Sequence, residues 1–293
     1  MVLCQMSARP KILITGATDG IGQLAALSLA RCGAHLILTA RSKAKADQTC
    51  AAIEAIAPGT PVDVHFVDFS DLAAVVRTGK AIAARHPRID VLINNAGLHA
   101  FEQRVTADGY AEMIAVNYFA PWLLTDTLRE TLVHSAPSRI VTVGSEASRQ
   151  SGAFDVEKDL LDIAPFTARG SSRIYGRTKL LDIMFSLELA RQLDGTGVVV
   201  NCLCPGFNVT GLGRELSFAR PVAGLLTWLG IGNPERGAGA IVRLATDPAF
   251  GKQTGAYVSA KSARLLTPVA RADNEEARRQ LWEKTTETLS RFR

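Results

Sequence analysis

The stretch Lys11-Ile-Leu-Ile-Thr-Gly-Ala-Thr-Asp-Gly-Ile-Gly22 decides the fold of this chain. Its first five residues form a short apolar run that is typical of a buried β-strand. Three glycines follow, Gly16, Gly20 and Gly22, and the pattern from Ile21 to Cys32 then indicates a helix. A strand that turns through glycines into a helix is the first half of a βαβ unit. In such a unit the turn lies where a ligand's phosphates can reach the helix N-terminus.

Strand-like and helix-like segments alternate along the rest of the chain. A helix from Ala107 to Leu132 is predicted to bend near Pro121. Strands separated by helices of this length imply crossover connections and a parallel sheet with helices on both faces. The predicted fold class is therefore α/β, a Rossmann-type doubly wound parallel sheet of about seven strands, in a single domain over residues 1–293. Further strand patterns occur at 35–39, 62–69, 91–94, 139–143, 198–203 and 256–259, and further helical patterns at 44–56, 72–85, 172–193, 234–246 and 274–289.

The amino-acid composition and charge argue against several classes of function. With 47% hydrophobic and 21% charged residues, the chain has the balance of a soluble globular protein. Its net charge is only +5 and the basic residues are scattered, which argues against a nucleic-acid partner. Five cysteines without CxxC spacing and five histidines without HxxxH or HxH spacing predict a reducing compartment, no disulfide framework and no metal site. No signal peptide or transmembrane segment is evident, so we expect a cytoplasmic location.

Tyr175 and Lys179 lie four residues apart, so on a helix their side chains share one face. A cation beside a phenol stabilises the phenolate and lowers the pKa of the tyrosine. Such a tyrosine exchanges a proton near neutral pH. Together with a dinucleotide-binding turn, the pair predicts hydride transfer between a nicotinamide cofactor and a carbonyl or alcohol.

Each glycine of the turn has a predicted role in that binding. Gly16 lets the chain leave the strand sharply, Gly20 lets backbone approach a pyrophosphate, and Gly22 lets helix and strand pack closely. The helix N-terminus offers unpaired N–H groups and a positive dipole end to the phosphates. Taken alone, the glycines are also compatible with a purely structural turn.

The chain resembles members of the short-chain dehydrogenase/reductase family. The helix around Leu281-Trp282 and the long interval between Ser145 and Tyr175 resemble retinol-dehydrogenase-like members or related carbonyl reductases more than the shortest members of the family. The motifs that carry the resemblance run in the family's order from about Lys11 to Thr210: Thr15-Gly-x-x-x-Gly-Ile-Gly22, Asp68, Asn94-Asn-Ala-Gly97, Asn117, Ser145, Tyr175-x-x-x-Lys179 and Pro205-Gly206.

The resemblance implies four catalytic residues. Tyr175 would be the general acid in reduction and the base in oxidation, and Lys179 would lower its pKa and hold the nicotinamide ribose. Moving that pKa from about 10 to neutrality requires roughly 4 kcal/mol of preference for the anion, part of it from an oxidised nicotinamide. Ser145 would hydrogen-bond the substrate oxygen, with Ser148 as the alternative. Asn117 would stabilise the long helix and a water that relays protons to Lys179.

The resemblance also implies a set of cofactor-binding residues. Asp68, beside Phe69, resembles the residue that accepts from the adenine amino group, and Thr210 stands at the usual place of a hydroxyl on the nicotinamide carboxamide. Asn94 and Pro205 are equally compatible with binding and with a scaffold role. The predicted set is Gly16, Thr18, Asp19, Gly20, Ile21, Gly22, Arg41, Ser42, Asp68, Phe69, Asn95, Ala96, Gly97, Tyr175, Lys179, Pro205, Gly206 and Thr210.

Cofactor choice is predicted from the end of the second strand, which reads Leu38-Thr-Ala-Arg-Ser42. An acid at this place holds the ribose 2′-OH in NAD-preferring sites, and none is present. Arg41 offers a planar guanidinium to a 2′-phosphate, and Ser42 or Lys43 can add contacts. We therefore expect NADP(H), with NAD less favoured. Thr18 and Asp19 weaken this preference, because some NADP-preferring members carry a basic residue there.

The single domain is predicted to comprise a cofactor-binding and catalytic core at 11–206, a substrate lid at 207–235 and a C-terminal completion at 236–293. The apolar stretch from Gly211 to Gly232 suits a lid over a lipophilic carbonyl or alcohol, but packing on the core or on another subunit explains it equally well. A homodimer or homotetramer is implied by the resemblance, through the helices that carry Asn117 and Tyr175.

Two other functions fit parts of the sequence. Nucleotide-sugar epimerases and dehydratases also use Tyr-x-x-x-Lys, but usually with a Gly-x-x-Gly-x-x-Gly turn and a larger C-terminal sugar domain. A non-catalytic, cofactor-sensing regulator is the second alternative. The presence of Ser145, Tyr175 and Lys179 together argues against it.

Overall fold

The structure is a computed structural model and describes residues 9–206, 233–260 and 264–293. The strands in these residues are β1 (Lys11–Thr15), β2 (His35–Ala40), β3 (Val62–Phe66), β4 (Val91–Asn94), β5 (Ser138–Val143), β6 (Val198–Cys204) and β7 (Ala256–Ser259). They form one parallel sheet with the strand order β3-β2-β1-β4-β5-β6-β7, which confirms the predicted fold class. The direction of winding reverses between β1 and β4, so the ligand-binding crevice of a doubly wound sheet is expected there.

Several helices begin at polar caps, and the helices pack on both faces of the sheet. Asp19, Ser42 and Asp71 each accept a hydrogen bond from a backbone N–H in the first turn of the helix that follows them, which satisfies a donor that the helix itself leaves unpaired. The described helices are α1 (Gly20–Arg31), α2 (Lys43–Ile56), α3 (Leu72–Arg85), α4 (Glu112–Ile114), α5 (Ala120–His134), α6 (Val156–Asp159), α7 (Ala168–Gln192), α8 (Pro234–Thr246), α9 (Ala270–Asp273) and α10 (Glu275–Leu289).

The core forms two layers because alternate residues of a strand point to opposite faces. Ile12 and Ile14 of β1 pack in the layer beneath α1 and α8, whereas Leu13 lies in the layer beneath α5 and α7. All three are fully buried. Central strands buried on both faces are continuous apolar runs, which is the pattern that the sequence presented.

The helix predicted from Ala107 to Leu132 differs in the structure. It begins only at Glu112, because Gly109 adopts a left-handed φ of 87° and Val105 forms a bridge with Ala111. The irregularity lies not at Pro121 but just before it, in a π-helical segment at Ala115–Phe119. A proline has no N–H to donate to the preceding turn, and the wider π turn accommodates this loss.

Smaller departures concern the third strand and the cysteines. β3 ends at Phe66, so Asp68 and Phe69 follow the strand rather than end it. Cys32 is disulfide-bonded, which contradicts the expectation of unpaired cysteines, while Cys50, Cys202 and Cys204 are free. Periodicity and spacing rules cannot detect a pair that lacks a motif.

The C-terminal helix closes the sheet's α5 and α7 face. The Trp282 ring stacks on Phe185 of α7 with centroids 5.9 Å apart, and it packs against Trp122 of α5 at 5.3 Å. None of the helices in the described parts of the chain combines the length and the apolar character that crossing a bilayer requires. The predicted lid lies outside the described residues except for 233–235, and the three-part division of the domain stays a prediction.

Candidate active site

The glycine turn after β1 is packed too closely for side chains. Gly16 and Gly20 have left-handed φ angles of 67° and 53°, which favour glycine. A Cβ atom on Gly22 would lie 2.3 Å from both the Gly16 carbonyl oxygen and Asn95 Nδ2. The helix therefore starts directly against the strand end, and its first N–H groups face the crevice at the switch point.

The Asn94–Gly97 segment is tied to this turn by hydrogen bonds. Thr15 Oγ1 accepts from the backbone N–H groups of Asn95 and Ala96 at 3.0 and 2.9 Å. Asn95 Nδ2 donates to the carbonyls of Thr15 and Gly16 at 2.8 and 3.2 Å. Asn94 is buried and donates to Thr125 Oγ1 at 2.9 Å. Both asparagines thus brace the scaffold, which favours the structural interpretation of Asn94.

Asn117 connects this segment to α7 from within the π-helical segment. Its Oδ1 accepts from Leu98 N at 2.8 Å, and its Nδ2 donates to Leu98 O at 2.9 Å and to Thr178 Oγ1 at 3.0 Å. A Cβ on Gly97 would lie 3.3 Å from Asn117 Oδ1 and 3.8 Å from Lys179 Nζ. π-Helical turns are frequent at functional sites because they redirect a side chain, and here the turn directs Asn117 toward the predicted catalytic pair.

Tyr175 and Lys179 lie on one face of α7, as their spacing predicted. Lys179 Nζ is 5.8 Å from the centre of the Tyr175 ring. The same ammonium donates to the Val143 carbonyl and to Asp182 Oδ2, both at 2.8 Å. Lys179 is buried and is held by these two partners, whereas the Tyr175 side chain as a whole is half-buried.

The charge balance at Tyr175 departs from the sequence expectation. Burial raises the pKa of the Tyr175 hydroxyl, the positive charge of Lys179 lowers it, and Asp182 raises it again, so that the net shift is upward. The sequence predicted a lowered pKa from Lys179 alone. The difference arises because desolvation penalises a phenolate and because Asp182 offsets the lysine's charge.

Asp182 is a site residue that sequence reasoning missed. It lies one turn beyond Lys179, is 2% exposed, and forms the buried ion pair described above. Burial raises the pKa of this carboxyl to about 6, against the opposing charge of Lys179. Burial alone would lower the pKa of Lys179, but Asp182 and Tyr175 outweigh it and the net shift is upward. In the sequence, the i,i+3 spacing between Lys179 and Asp182 could have indicated this ion pair.

Ser145 follows β5 and caps a short 3₁₀ helix, Glu146–Gln150. Its Oγ accepts from Ala147 N at 3.1 Å. Ser145 is half-buried, whereas the alternative, Ser148, is 1% exposed. A substrate oxygen can therefore reach Ser145 more readily, which supports the choice of Ser145.

Two glycines around this serine are explained by close contacts. A Cβ on Gly144 would lie 2.7 Å from Cys202 Sγ, which accounts for glycine in place of a second serine. A Cβ on Gly176 would lie 2.5 Å from the Ala147 carbonyl oxygen. Gly176 therefore allows α7 to pack directly against the backbone of the 3₁₀ helix, and this contact brings the Ser145 and Tyr175 segments together.

His99 is a second residue that the sequence did not single out. Its ring stacks on Tyr175 with centroids 4.7 Å apart and an interplanar angle of 16°, and on Phe101 at 4.8 Å. Its Nε2 lies 3.2 Å from Ser171 Oγ. The only signal was its position two residues after Gly97, beyond the recognised motif. The stacking fixes the plane of the Tyr175 ring.

The predicted cofactor-selectivity residues lie together after β2 and β3. Arg41 Nη1 is 3.8 Å from Asp68 Oδ2, and both side chains are exposed. Lys45, which the sequence did not single out, pairs with Asp19 at 2.9 Å. Ser42 caps α2, so its hydroxyl already has a backbone partner.

The remaining predicted residues differ in accessibility. Ile21 and Phe69 are buried in the core, and Thr18 is half-buried in the turn. Pro205 and Gly206 directly follow β6, and Gly206 has a left-handed φ of 79°. Thr210 lies outside the described residues. The turn, the Asn94–Gly97 segment, Asn117 and the α7 pair are thus brought together, while Phe69 and Ile21 serve as packing.

The chain is similar to known proteins over most of its length. A family model described as short chain dehydrogenase matches residues 10–156. Retinol dehydrogenase 14 of Mus musculus is 35% identical over 285 residues, covering 93% of this chain and 83% of that protein. Retinol dehydrogenase 13 of Homo sapiens is 32% identical over 276 residues, covering 92% and 82%.

Solved structures share the fold. An uncharacterised protein from Mycobacterium Paratuberculosis has a TM-score of 0.75 at 26% identity, covering 96% of this chain and 93% of that one. The Pseudomonas aeruginosa RhlG/NADP complex has a TM-score of 0.69 at 24% identity, covering 88% and 97%. With the motif residues gathered at the sheet's switch point, these matches establish that the chain belongs to the short-chain dehydrogenase/reductase family and is similar to its retinol-dehydrogenase-like members.

Proposed function

We propose that this protein is an NADP(H)-dependent oxidoreductase that interconverts a carbonyl and an alcohol on a small lipophilic substrate, with Tyr175 as general acid and base. One observation carries the proposal. A Cβ on Gly97 would lie 3.3 Å from Asn117 Oδ1 and 3.8 Å from Lys179 Nζ, and the N–H of the neighbouring Ala96 donates to Thr15 Oγ1 at the start of the glycine turn. The Asn94–Gly97 segment therefore lies between the glycine turn and the Tyr175–Lys179 pair.

In this proposal the bound nicotinamide supplies or accepts the hydride, and the chain's residues manage the proton and the substrate oxygen. The Tyr175 hydroxyl gives its proton to the oxygen in reduction and takes it back in oxidation. Lys179 favours the phenolate electrostatically. Ser145 donates a hydrogen bond to the substrate oxygen, and Asn117 holds the Leu98 backbone that borders the site.

The substrate class is supported by the relatives, several of which are named retinol dehydrogenases. A direct test follows NADPH oxidation by absorbance with retinoid, steroid and long-chain aldehydes and ketones. Turnover of at least one carbonyl supports the proposal. Tight NADPH binding without turnover of any of them favours the cofactor-sensing alternative instead. A cytoplasmic location and a homodimer or homotetramer complete the proposal.

We expect Arg41→Ala to raise the KM for NADPH about tenfold to a hundredfold, because charge-assisted hydrogen bonds to a phosphate contribute about 1.5–3 kcal/mol. The KM for NADH should change less than about threefold, since NADH lacks the 2′-phosphate. Steady-state kinetics with both cofactors measures the two effects.

Arg77→Ala is the matched control for this cofactor prediction. Arg77 is as exposed as Arg41, and its guanidinium likewise pairs with an aspartate, Asp71, at 3.6 Å. Arg77 lies on α3, however, and not after β2. Its removal should leave both KM values unchanged. Equal losses for NADPH and NADH in Arg41→Ala would contradict the assignment of Arg41 to the 2′-phosphate.

We expect Asp182→Asn to shift the pH dependence of alcohol oxidation to lower pH. Above pH about 6 the Asp182 carboxyl is ionised, and its negative charge raises the pKa of Tyr175. Asparagine cannot ionise, so the phenolate should form at lower pH. The rising limb of kcat/KM against pH should move down by roughly 0.5–1 pH unit.

Ser186→Ala is the control for this pH prediction, because Ser186 is buried one turn further along the same helix and carries no charge. Its pH profile should match the unmodified protein. An unchanged or upward-shifted profile in Asp182→Asn would show that the carboxylate does not act on Tyr175.

A further inference from the structure

A cluster of three side chains with metal-binding atoms lies at the edge of the sheet opposite the candidate active site. His35 begins β2, Asp63 is near the start of β3, and His86 follows the last residue of α3. One ligand atom from each residue lies within 4.8 Å of the other two. In a parallel sheet the strand starts lie at the edge away from the ligand crevice, so this cluster is separate from the cofactor site.

The His86 ring nitrogen is the feature that points to a ligand. His86 is 3% exposed, and its Nε2 has no hydrogen-bond partner among the described residues. Nε2 faces Asp63 Oδ2 at 3.8 Å, which is too long for a hydrogen bond. A buried polar atom without a partner costs free energy. An ion between Nε2 and the carboxylate would satisfy it.

The spacing of the three atoms suits a small tetrahedral cation. Zinc binds imidazole nitrogen and carboxylate oxygen at about 2.0–2.2 Å, which places neighbouring ligand atoms roughly 3.3 Å apart. His35 Nε2 lies 2.6 Å from Asp63 Oδ2, and His86 Nε2 lies 3.8 Å from the same oxygen. One distance is shorter and the other longer than the ligand–ligand spacing expected around zinc, so small movements of the His35 and His86 rings would make room for the ion.

The surroundings of Asp63 orient its carboxylate for such a role. Arg85 contacts the other oxygen, Oδ1, and leaves Oδ2 directed at the two histidines. Hydrogen bonds of this kind commonly fix metal-binding carboxylates. Arg85 and Lys11 are nearby positive charges, and they reduce affinity for a cation. The His65 ring lies 6.1 Å from His86, centre to centre, and is outside the ligand set.

We propose that His35, Asp63 and His86 bind a Zn²⁺ ion, with water in the fourth position. Two imidazoles and one carboxylate match the ligands that zinc takes in proteins, and hard cations such as Mg²⁺ and Ca²⁺ prefer oxygen alone. The ion ties the edge strand β3 to β2 and to the end of α3. This proposal differs from the prediction of no metal site, which rested on local spacing motifs, because strand register can bring together ligands that are remote in sequence.

The test is calorimetric titration of the chelator-treated full-length protein with zinc chloride, together with thermal unfolding. We expect one ion per chain with a Kd of about 1–10 μM, and a Tm increase of about 5 °C at a hundredfold excess over Kd. Cobalt substitution should give the absorption of a tetrahedral ion without a thiolate band, which excludes binding by Cys50, Cys202 or Cys204.

His86→Asn and His35→Gln should each weaken zinc binding more than tenfold. His35 is the more exposed of the two, so His35→Gln remains informative if His86→Asn fails to fold. His134→Asn is the matched control, because His134 is exposed, lies outside the cluster, and has its Nδ1 2.8 Å from the Glu130 carbonyl oxygen on α5. No binding at 100 μM zinc, or binding unchanged in His35→Gln, would overturn the proposal. Oxidoreductase activity should be unaffected, so this result is independent of the proposed function.

Discussion

Tyr175→Phe should reduce turnover by about a hundredfold to ten-thousandfold, which is the usual contribution of a general acid or base. Phenylalanine keeps the ring that stacks on His99 at 4.7 Å but has no proton to transfer. The fold and the affinity for NADPH should therefore be retained. Single-turnover kinetics with a carbonyl substrate, together with fluorescence titration of NADPH, measures the two quantities separately.

Tyr110→Phe provides the matched control for loss of a phenol. Tyr110 donates its hydroxyl to the Thr288 carbonyl at 3.2 Å and packs edge-on against Phe119, far along the chain from α7. Its removal should leave turnover unchanged. Substantial turnover in Tyr175→Phe would mean that another group transfers the proton. A wild-type protein that binds NADPH but turns over no carbonyl would instead support the cofactor-sensing function.

Gly22→Ala should destabilise the protein and weaken cofactor binding together. The new methyl group would lie 2.3 Å from the Gly16 carbonyl and from Asn95 Nδ2, so the backbone of the turn must move. Overpacking of this kind costs about 1–3 kcal/mol of unfolding free energy. The displaced turn no longer presents its N–H groups to the phosphates, so we expect the Kd for NADPH to rise at least about tenfold.

Gly239→Ala separates the effect of crowding from the effect of removing a glycine. Gly239 lies in α8, and a Cβ built there meets nothing within 4 Å. Because alanine is the better helix former, this variant should be more stable by about 0.5–1 kcal/mol, with unchanged NADPH binding. Urea unfolding and NADPH titration of both variants provide the comparison. A Gly22→Ala protein with normal stability and affinity would contradict the packing argument.

The buried Lys179–Asp182 ion pair limits how far Lys179 can lower the pKa of Tyr175. Lys179 has two fixed partners, Val143 O and Asp182, before any ligand is considered. Burial of the phenol and the negative charge of Asp182 outweigh the positive charge of Lys179, so the pKa of Tyr175 is raised. In the proposed reaction, proton transfer near neutrality would therefore require further positive charge near the phenol or protonation of Asp182, and the pH profile of Asp182→Asn tests the second of these.

The sequence was sufficient for the features that depend on local pattern. Apolar runs such as Lys11–Thr15 and periodic stretches such as Leu72–Arg85 and Pro234–Thr246 coincide with the elements of the structure, because burial on both faces of a strand or on one face of a helix is written into residue spacing. The α7 spacing placed Tyr175 and Lys179 on one face for the same reason.

Local sequence pattern was not sufficient for features that depend on packing between segments distant in the chain. The helix start at Glu112, the π-helical turn before Pro121 and the partners of Lys179 depend on neighbouring segments. The net pKa shift of Tyr175 depends on burial, which the sequence does not display.

By itself, the sequence determined the doubly wound sheet, the glycine turn after its first strand and the helical spacing that places Tyr175 and Lys179 on one face. Only the tertiary structure decided that Asp182 opposes Lys179, that His99 stacks on Tyr175, and that His35, Asp63 and His86 meet at the opposite edge. The physical reason is that strand register and helix packing bring together side chains that are remote in sequence, while electrostatic energies depend on their distances and burial.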